Sequence, residues 1–170
     1  MQLNNLEDVL IEQLADLYSA ETQLVAALPK MAGAAHSSEL RQAFTDHLEE
    51  TRGHVERLDE AFGELSMPRS AETCQAMRGL IEEGSEIVAA TGDPAAIDAA
   101  LIAAAQRVEH YEISAYGTAR TLASELGHDR AAALLDETLA EEANADKLLT
   151  KLAQGGLLRS GINEEAASRS

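Results

Sequence analysis

The chain has 170 residues, with thirteen basic against thirty acidic ones and a net charge of −17, which suits one domain with a real core and is too short for two comfortable ones. No basic surface is available to replace the counterions of nucleic acid, and anionic membranes repel such a chain, so metal cations are the partners it favours. A single cysteine, Cys74, excludes an internal disulfide framework and a thiolate metal cage; with no leader-like start and no stretch apolar enough to span a bilayer, a cytoplasmic protein is expected.

Apolar residues make up 45% of the chain, yet only five residues are aromatic. Ala and Leu dominate the rest, which favours helices over strands. The first predicted helix runs from about Leu6 to Gly33, with the seam Leu10, Leu14, Leu17, Glu21, Leu24, Leu28 and Met31 in steps of three and four. Pro29 is expected to kink its last turns. Ser37 or Ser38 caps a second helix, Glu39 to Gly63, whose stripe includes Leu40, Phe44, Leu48, Val55, Leu58 and Phe62. Pro68 then interrupts the chain, and Ser70 can cap a shorter amphipathic segment ending near Ala90. Asp93 followed by Pro94 reads as an N-cap with proline at the first helical position. The helix it starts has the seam Leu101, Ala105, Val108, Glu112, Ala115, Ala119, Leu122 and Leu126, and Gly127 stops it. Asp129 can cap the last long helix, with the seam Ala131, Leu135, Thr138, Glu142, Ala145, Leu149 and Leu152.

Two short connections make two antiparallel hairpins, and more than thirty residues link them. The expected fold is all-α: a ferritin-like antiparallel four-helix bundle with a long crossover carrying an additional helix. Five helices in another packing is the alternative. The bundle is expected to occupy residues 1–156 and a flexible polar tail residues 157–170.

Glu21, Glu112 and Glu142 stand at seam positions otherwise held by Leu, Ala, Val, Met or Thr. A lone buried carboxylate is costly, and three in one core call for a cation. Glu50 supplies a fourth, one turn from His47 and His54. Glu21 and Glu50 are equidistant from a point between Ala35 and His36; Glu112 and Glu142 are equidistant from Gly127. A second rung pairs Tyr18 with His54, and Glu109 with Asp146. The candidate metal ligands are therefore Glu21, His47, Glu50, His54, Glu109, Glu112, Glu142 and Asp146. One inward Glu per helix, with His a turn away, suits a di-metal carboxylate site for two iron or manganese ions per chain. Two competing readings remain: the acids face water, or they form a buried polar cluster without metal. Tyr18, Tyr111 and Tyr116 lie within a turn of these positions, as packing residues or as donors to the ligands. Cys74 reads as a small buried apolar residue, and His110 as a flanking or surface group.

Five stretches carry a resemblance to a known family: DLYSAE at 16–21, HLEETRGHVERL at 47–58, GLIEE at 79–83, AALIAAAQRVEHYEI at 99–113 and ETLAEE at 137–142. They are similar to the YciE/YciF ferritin-like proteins of bacteria. The resemblance implies a rubrerythrin-related bundle, usually dimeric and associated with stress responses, without a settled reaction. Ferritins and rubrerythrins typically carry Glu-x-x-His on the second and fourth helices. Here the second has His47-x-x-Glu50 and Glu50-x-x-x-His54, and the fourth has no histidine. No rubredoxin-like cysteine module supplies electrons.

The leading functional expectation is a di-metal protein of the bacterial stress response that handles iron, dioxygen or peroxide, with oxidase or peroxidase chemistry if it is an enzyme. The alternative is a non-catalytic, dimeric helical stress or interaction protein with a vestigial site. A homodimer is expected in preference to a ferritin cage.

Overall fold

The computed structural model describes residues 3–67, 72–156 and 159–168. Helix α1 spans Leu6–Ala34, running on through Pro29, and α2 spans Ser38–Glu64. The short α3 covers Gln75–Val88, α4 covers Pro94–Glu125 and α5 covers Asp129–Gln154. Helix α1 packs on α2 and α4, α5 packs on α4 and α2, and α3 lies along α1 and α4. This is the expected four-helix core with a crossover helix on its flank. No described helix is long and apolar enough to cross a membrane.

Local chemistry sets the ends of the helices. Asn5 accepts a hydrogen bond from Asp8 N, Ser37 from Leu40 N, and Asp93 from the backbone N–H groups of Ala95 and Ala96. The capping role expected of Ser70, and the break at Pro68, lie outside the described residues; Cys74 caps α3 instead, with its sulfur accepting from Met77 N. Asp129 does not cap α5. Residue 128 takes that place without a side-chain bond, because the tight turn leaves Asp129 already inside the helix. That turn ends α4, with Leu126 as its C-cap, Gly127 at φ +78° and His128 N donating to Ala123 O. The left-handed glycine closes the last turn of α4 and fixes the centre of the second hairpin. Asp98, buried on α4, carries no local signal in the sequence. Its carboxylate accepts from the backbone N–H groups of His36 and Ser37, 2.8 and 2.7 Å away, and so ties the first hairpin's turn to the crossover's end.

The apolar core has two parts. One is built on Leu24, Leu28, Leu40, Phe44, Met77, Leu101, Ile102 and Leu149; the other on Leu10, Leu14, Leu17, Leu58, Phe62, Tyr116 and Leu135. Between them lies a layer of buried polar side chains: Glu21, His47, Thr51, His54, Glu109, Glu112, Thr138 and Glu142.

The C-terminal stretch differs from the flexible tail expected for residues 157–170. Gly155–Gly156 pairs antiparallel with Arg159–Ser160, and α6, Ile162–Ala167, packs on α4 and α5. Ile162 joins the first part of the core. The apolar periodicity fades after Gly156 because a six-residue helix needs only one anchor. Gly161 permits the return, since a Cβ there would collide with the backbone of Ala153, Gln154 and Gly155. Ile162→Ala should lower stability by about 2 kcal/mol, and Gly161→Ala should also lower it. Unchanged urea midpoints in both variants would show that the docking of α6 adds nothing.

Candidate metal centre

The polar layer contains four carboxyl groups and two imidazoles from four helices. Helix α1 gives Glu21, α2 gives His47 and His54, α4 gives Glu109 and Glu112, and α5 gives Glu142. His54 Nδ1 lies 2.9 Å from Glu142 and 3.3 Å from Glu21. His47 Nε2 lies 3.5 Å from Glu109 and 3.7 Å from Glu142. The groups form two overlapping sets of mutually close donor atoms, one of His47, Glu109, Glu112 and Glu142, the other of Glu21, His54 and Glu142. Glu142 belongs to both.

Six of the eight residues expected at the site thus come together, and two do not. Glu50 is half exposed and meets the outward nitrogen of His47, Nδ1, at 3.3 Å. The first turn is centred on His36, half a residue later than the point from which Glu50 was placed, and this puts Thr51 opposite Glu21. Thr51 is fully buried and donates to His47 O, 2.7 Å away. Asp146 lies on the flank of α5, where it accepts from Gln106 Nε2 at 3.0 Å and pairs with His110 at 3.2 Å.

Two further residues act on the layer. Glu141 Oε2 is 2.9 Å from His54 Nε2, and Arg57 holds the same carboxylate from outside, with Nη2 donating to Oε1 at 2.8 Å. This hydrogen bond orients the ring so that Nδ1 faces Glu21 and Glu142. The run of adjacent acids at 141 and 142 was visible in the sequence, but only the seam residue stood out. Tyr116, expected nearby, is fully buried and its hydroxyl donates to Glu21 Oε1 at 2.5 Å. Tyr18 packs edge-on against Phe62. Tyr111 donates to Asp16 at 2.6 Å and sits 3.1 Å from the sulfur of Cys74, which is buried as expected but polar in its contacts.

Burial pushes Glu109 and Glu112 well above the ordinary carboxylate range; repulsion from Glu142 and Glu21 adds to it in both. Glu21 is raised by the same burial. Burial opposes the charge of Glu142 too, but the hydrogen bond from His54 and the charges of both histidines outweigh it and hold Glu142 low. Burial likewise disfavours the imidazolium of His47 and His54, yet Glu109 raises the first to about 9 and the bonds to Glu142 and Glu21 raise the second to about 10. Without a metal, the layer therefore rests on protons. Even so, both oxygens of Glu112, and Oε2 of Glu21 and of Glu109, are buried with no hydrogen-bond partner among the described residues. Four carboxylates and two imidazoles are the donor inventory of ferritin-like di-metal sites, and unpartnered oxygens aimed at one another fit cations.

Residues 5–167 match the family described as Domain of unknown function (DUF892). The protein YciF of Escherichia coli K12 is 48% identical over 165 residues, covering 96% of this chain and 99% of its own length. A crystal structure of the E. coli stress protein YciF superposes with a TM-score of 0.86 at 50% identity, covering 88% of this chain and 95% of that one. YcfI of Rhodopseudomonas palustris gives the same TM-score at 43% identity, covering 89% and 97%. A protein of Xanthomonas campestris shares the fold at 17% identity, with a TM-score of 0.72 over 97% and 96% of the two chains.

The protonation pattern makes the metal-free chain sensitive to alkali. His47 and His54 have folded values above the ordinary 6.5, so their contribution to stability is complete below that pH and disappears as pH rises through 9 and 10. The raised carboxyls act in the same direction, because the unfolded chain releases their protons first. The melting temperature of the metal-free chain should fall steadily between pH 7 and pH 10; a flat profile across that window would contradict this assignment of protons.

Proposed function

The chain belongs to the DUF892 family, and on that premise we propose that it is a ferritin-like di-metal carboxylate protein of the bacterial stress response, holding two iron or manganese ions and handling iron, dioxygen or peroxide. The observation that carries the reading is the pair of buried, unpartnered Glu112 oxygens inside a layer of three more carboxyls and two imidazoles. The stress context comes from YciF of E. coli, which is described as a stress protein.

Glu21, His54 and Glu142 would hold one ion, and His47, Glu109, Glu112 and Glu142 the other, with Glu142 shared. Two divalent charges match four carboxylates and leave both imidazoles neutral. Iron or manganese supplies one-electron redox chemistry and Lewis acidity in such a site. The chain's own residues do the positioning. Arg57 anchors Glu141, Glu141 fixes the ring of His54, and Tyr116 holds one oxygen of Glu21 so that the other stays directed inward. The leucines above and below the layer exclude bulk water.

The competing reading, a non-catalytic homodimer with a vestigial site, draws on the exposed side chains of Leu3, Leu6 and Leu148. Metal content separates the two. Metal-free chain titrated with Mn2+ or Fe2+ should take up two ions, and at a hundredfold excess over the dissociation constant each should add about 2.7 kcal/mol of stability. Glu112→Gln should leave the metal-free melting temperature equal or higher, since it removes a carboxyl that burial keeps protonated, while the bound metal falls below two. Glu142→Gln should cost the metal-free chain about 3 kcal/mol, because two buried imidazolium groups lose their counterion. A wild-type chain that takes up no ion, with a large loss of stability in Glu112→Gln, would favour a structural polar network.

A further inference from the structure

The ring of His47 faces two ways. Nε2 points to Glu109 and Glu142 inside the layer, while Nδ1 points to Glu50 on the exposed flank of α2. On that flank a cavity of about 210 Å3 opens between α2, α4 and α5, and its lining includes Ala43, Asp46, His47, Glu50, Glu109 and Asn144. It adjoins a groove of about 900 Å3 at the end of the bundle, with Ala43, Asp46 and Leu148 common to both. The outer lining is exposed and acidic; the inner end is two buried donors, and His47 Nε2 and Glu109 Oε2 have no hydrogen-bond partner among the described residues.

Other approaches suit an ion poorly. Further along the α2–α5 seam, Arg57 spans the gap to Glu141 and Thr138 with a positive charge. The small cavity under α3 is lined by apolar groups with only Lys30 and Ser85 polar, and no carboxylate. Along the bundle axis, buried leucines lie between the polar layer and both ends, including beneath the end groove.

We propose that this cavity is the entry route for a divalent cation, with Glu50 and Asp46 capturing the hydrated ion at the mouth and His47 and Glu109 receiving it at the inner end. The route rests on the metal reading above. About 210 Å3 accommodates an ion with several of its waters, each occupying about 30 Å3, so hydration is exchanged for protein ligands in stages. Glu50 is thus a transit ligand, which explains why it stands one turn from the site without entering it. The small side chain of Ala43 keeps the mouth open.

The test is the rate of Co2+ loading into metal-free chain, followed in stopped flow by visible absorbance. Glu50→Gln and Ala43→Leu should each slow loading about tenfold, while Glu86→Gln, an exposed acid on α3, should not. All should reach the wild-type number of ions per chain. Equal rates in wild type, Glu50→Gln and Ala43→Leu would overturn the route and leave the metal reading intact. A lower final number in Glu50→Gln would make Glu50 a resident ligand and overturn its transit role. A wild-type chain that takes up no Co2+ would overturn both.

Discussion

Four carboxyl groups and two imidazoles share one buried layer in a core that is otherwise almost wholly apolar, and the rest of the molecule is arranged around the cost of putting them there. Burial disfavours charge on every one of them. The chain meets that cost by mutual pairing, since each imidazolium lies between carboxylates and Glu142 lies between both imidazoles. The neighbouring residues are chosen not to compete. Thr51 turns its hydroxyl back onto its own helix, and α4 brings small residues, Ala104, Ala105, Ala119 and Ala123, to the levels above and below, so the helices close tightly around the larger polar groups.

Such pairing makes orientation matter as much as composition. His54 is held through Nε2 by Glu141, and Glu141 is held by Arg57 near the surface. A ring fixed at one nitrogen presents the other in a defined direction. Among the described residues His47 has no comparable buried anchor and meets the exposed Glu50 on its outer side. The two histidines, seven residues apart on one face of α2, are therefore not equivalent: one is braced by the protein and the other borders a water-accessible cavity.

Much of this was legible in the sequence because violations of an apolar seam are conspicuous. Glu21, Glu112 and Glu142 each interrupt a run of leucines and alanines, and Gly127, standing just after the last seam residue of α4, marks the centre of the second hairpin. The first hairpin offered no such marker. Its turn falls between Gly33 and the caps Ser37 or Ser38, and within that span half a residue decides whether Thr51 or Glu50 stands opposite Glu21. Around α2 both positions lie equally close to the direction of the two histidines; the wider stripe of Leu40, Phe44, Leu58 and Phe62 leans toward Thr51. Contacts that depend on tertiary approach left no local signal: Asp98 on the first turn, Glu141 on His54, and the docking of α6 through Ile162.

The polar layer also divides the molecule mechanically. Each apolar half keeps its own leucine core, and within the layer between them the four continuous helices meet one another through polar groups that water could also satisfy. The plane is therefore the weakest cross-section of the bundle when it holds only protons, since wetting it forfeits little dispersion energy. A cation pair drawn between all four helices would rivet that same plane, turning the softest section of the rod into its stiffest.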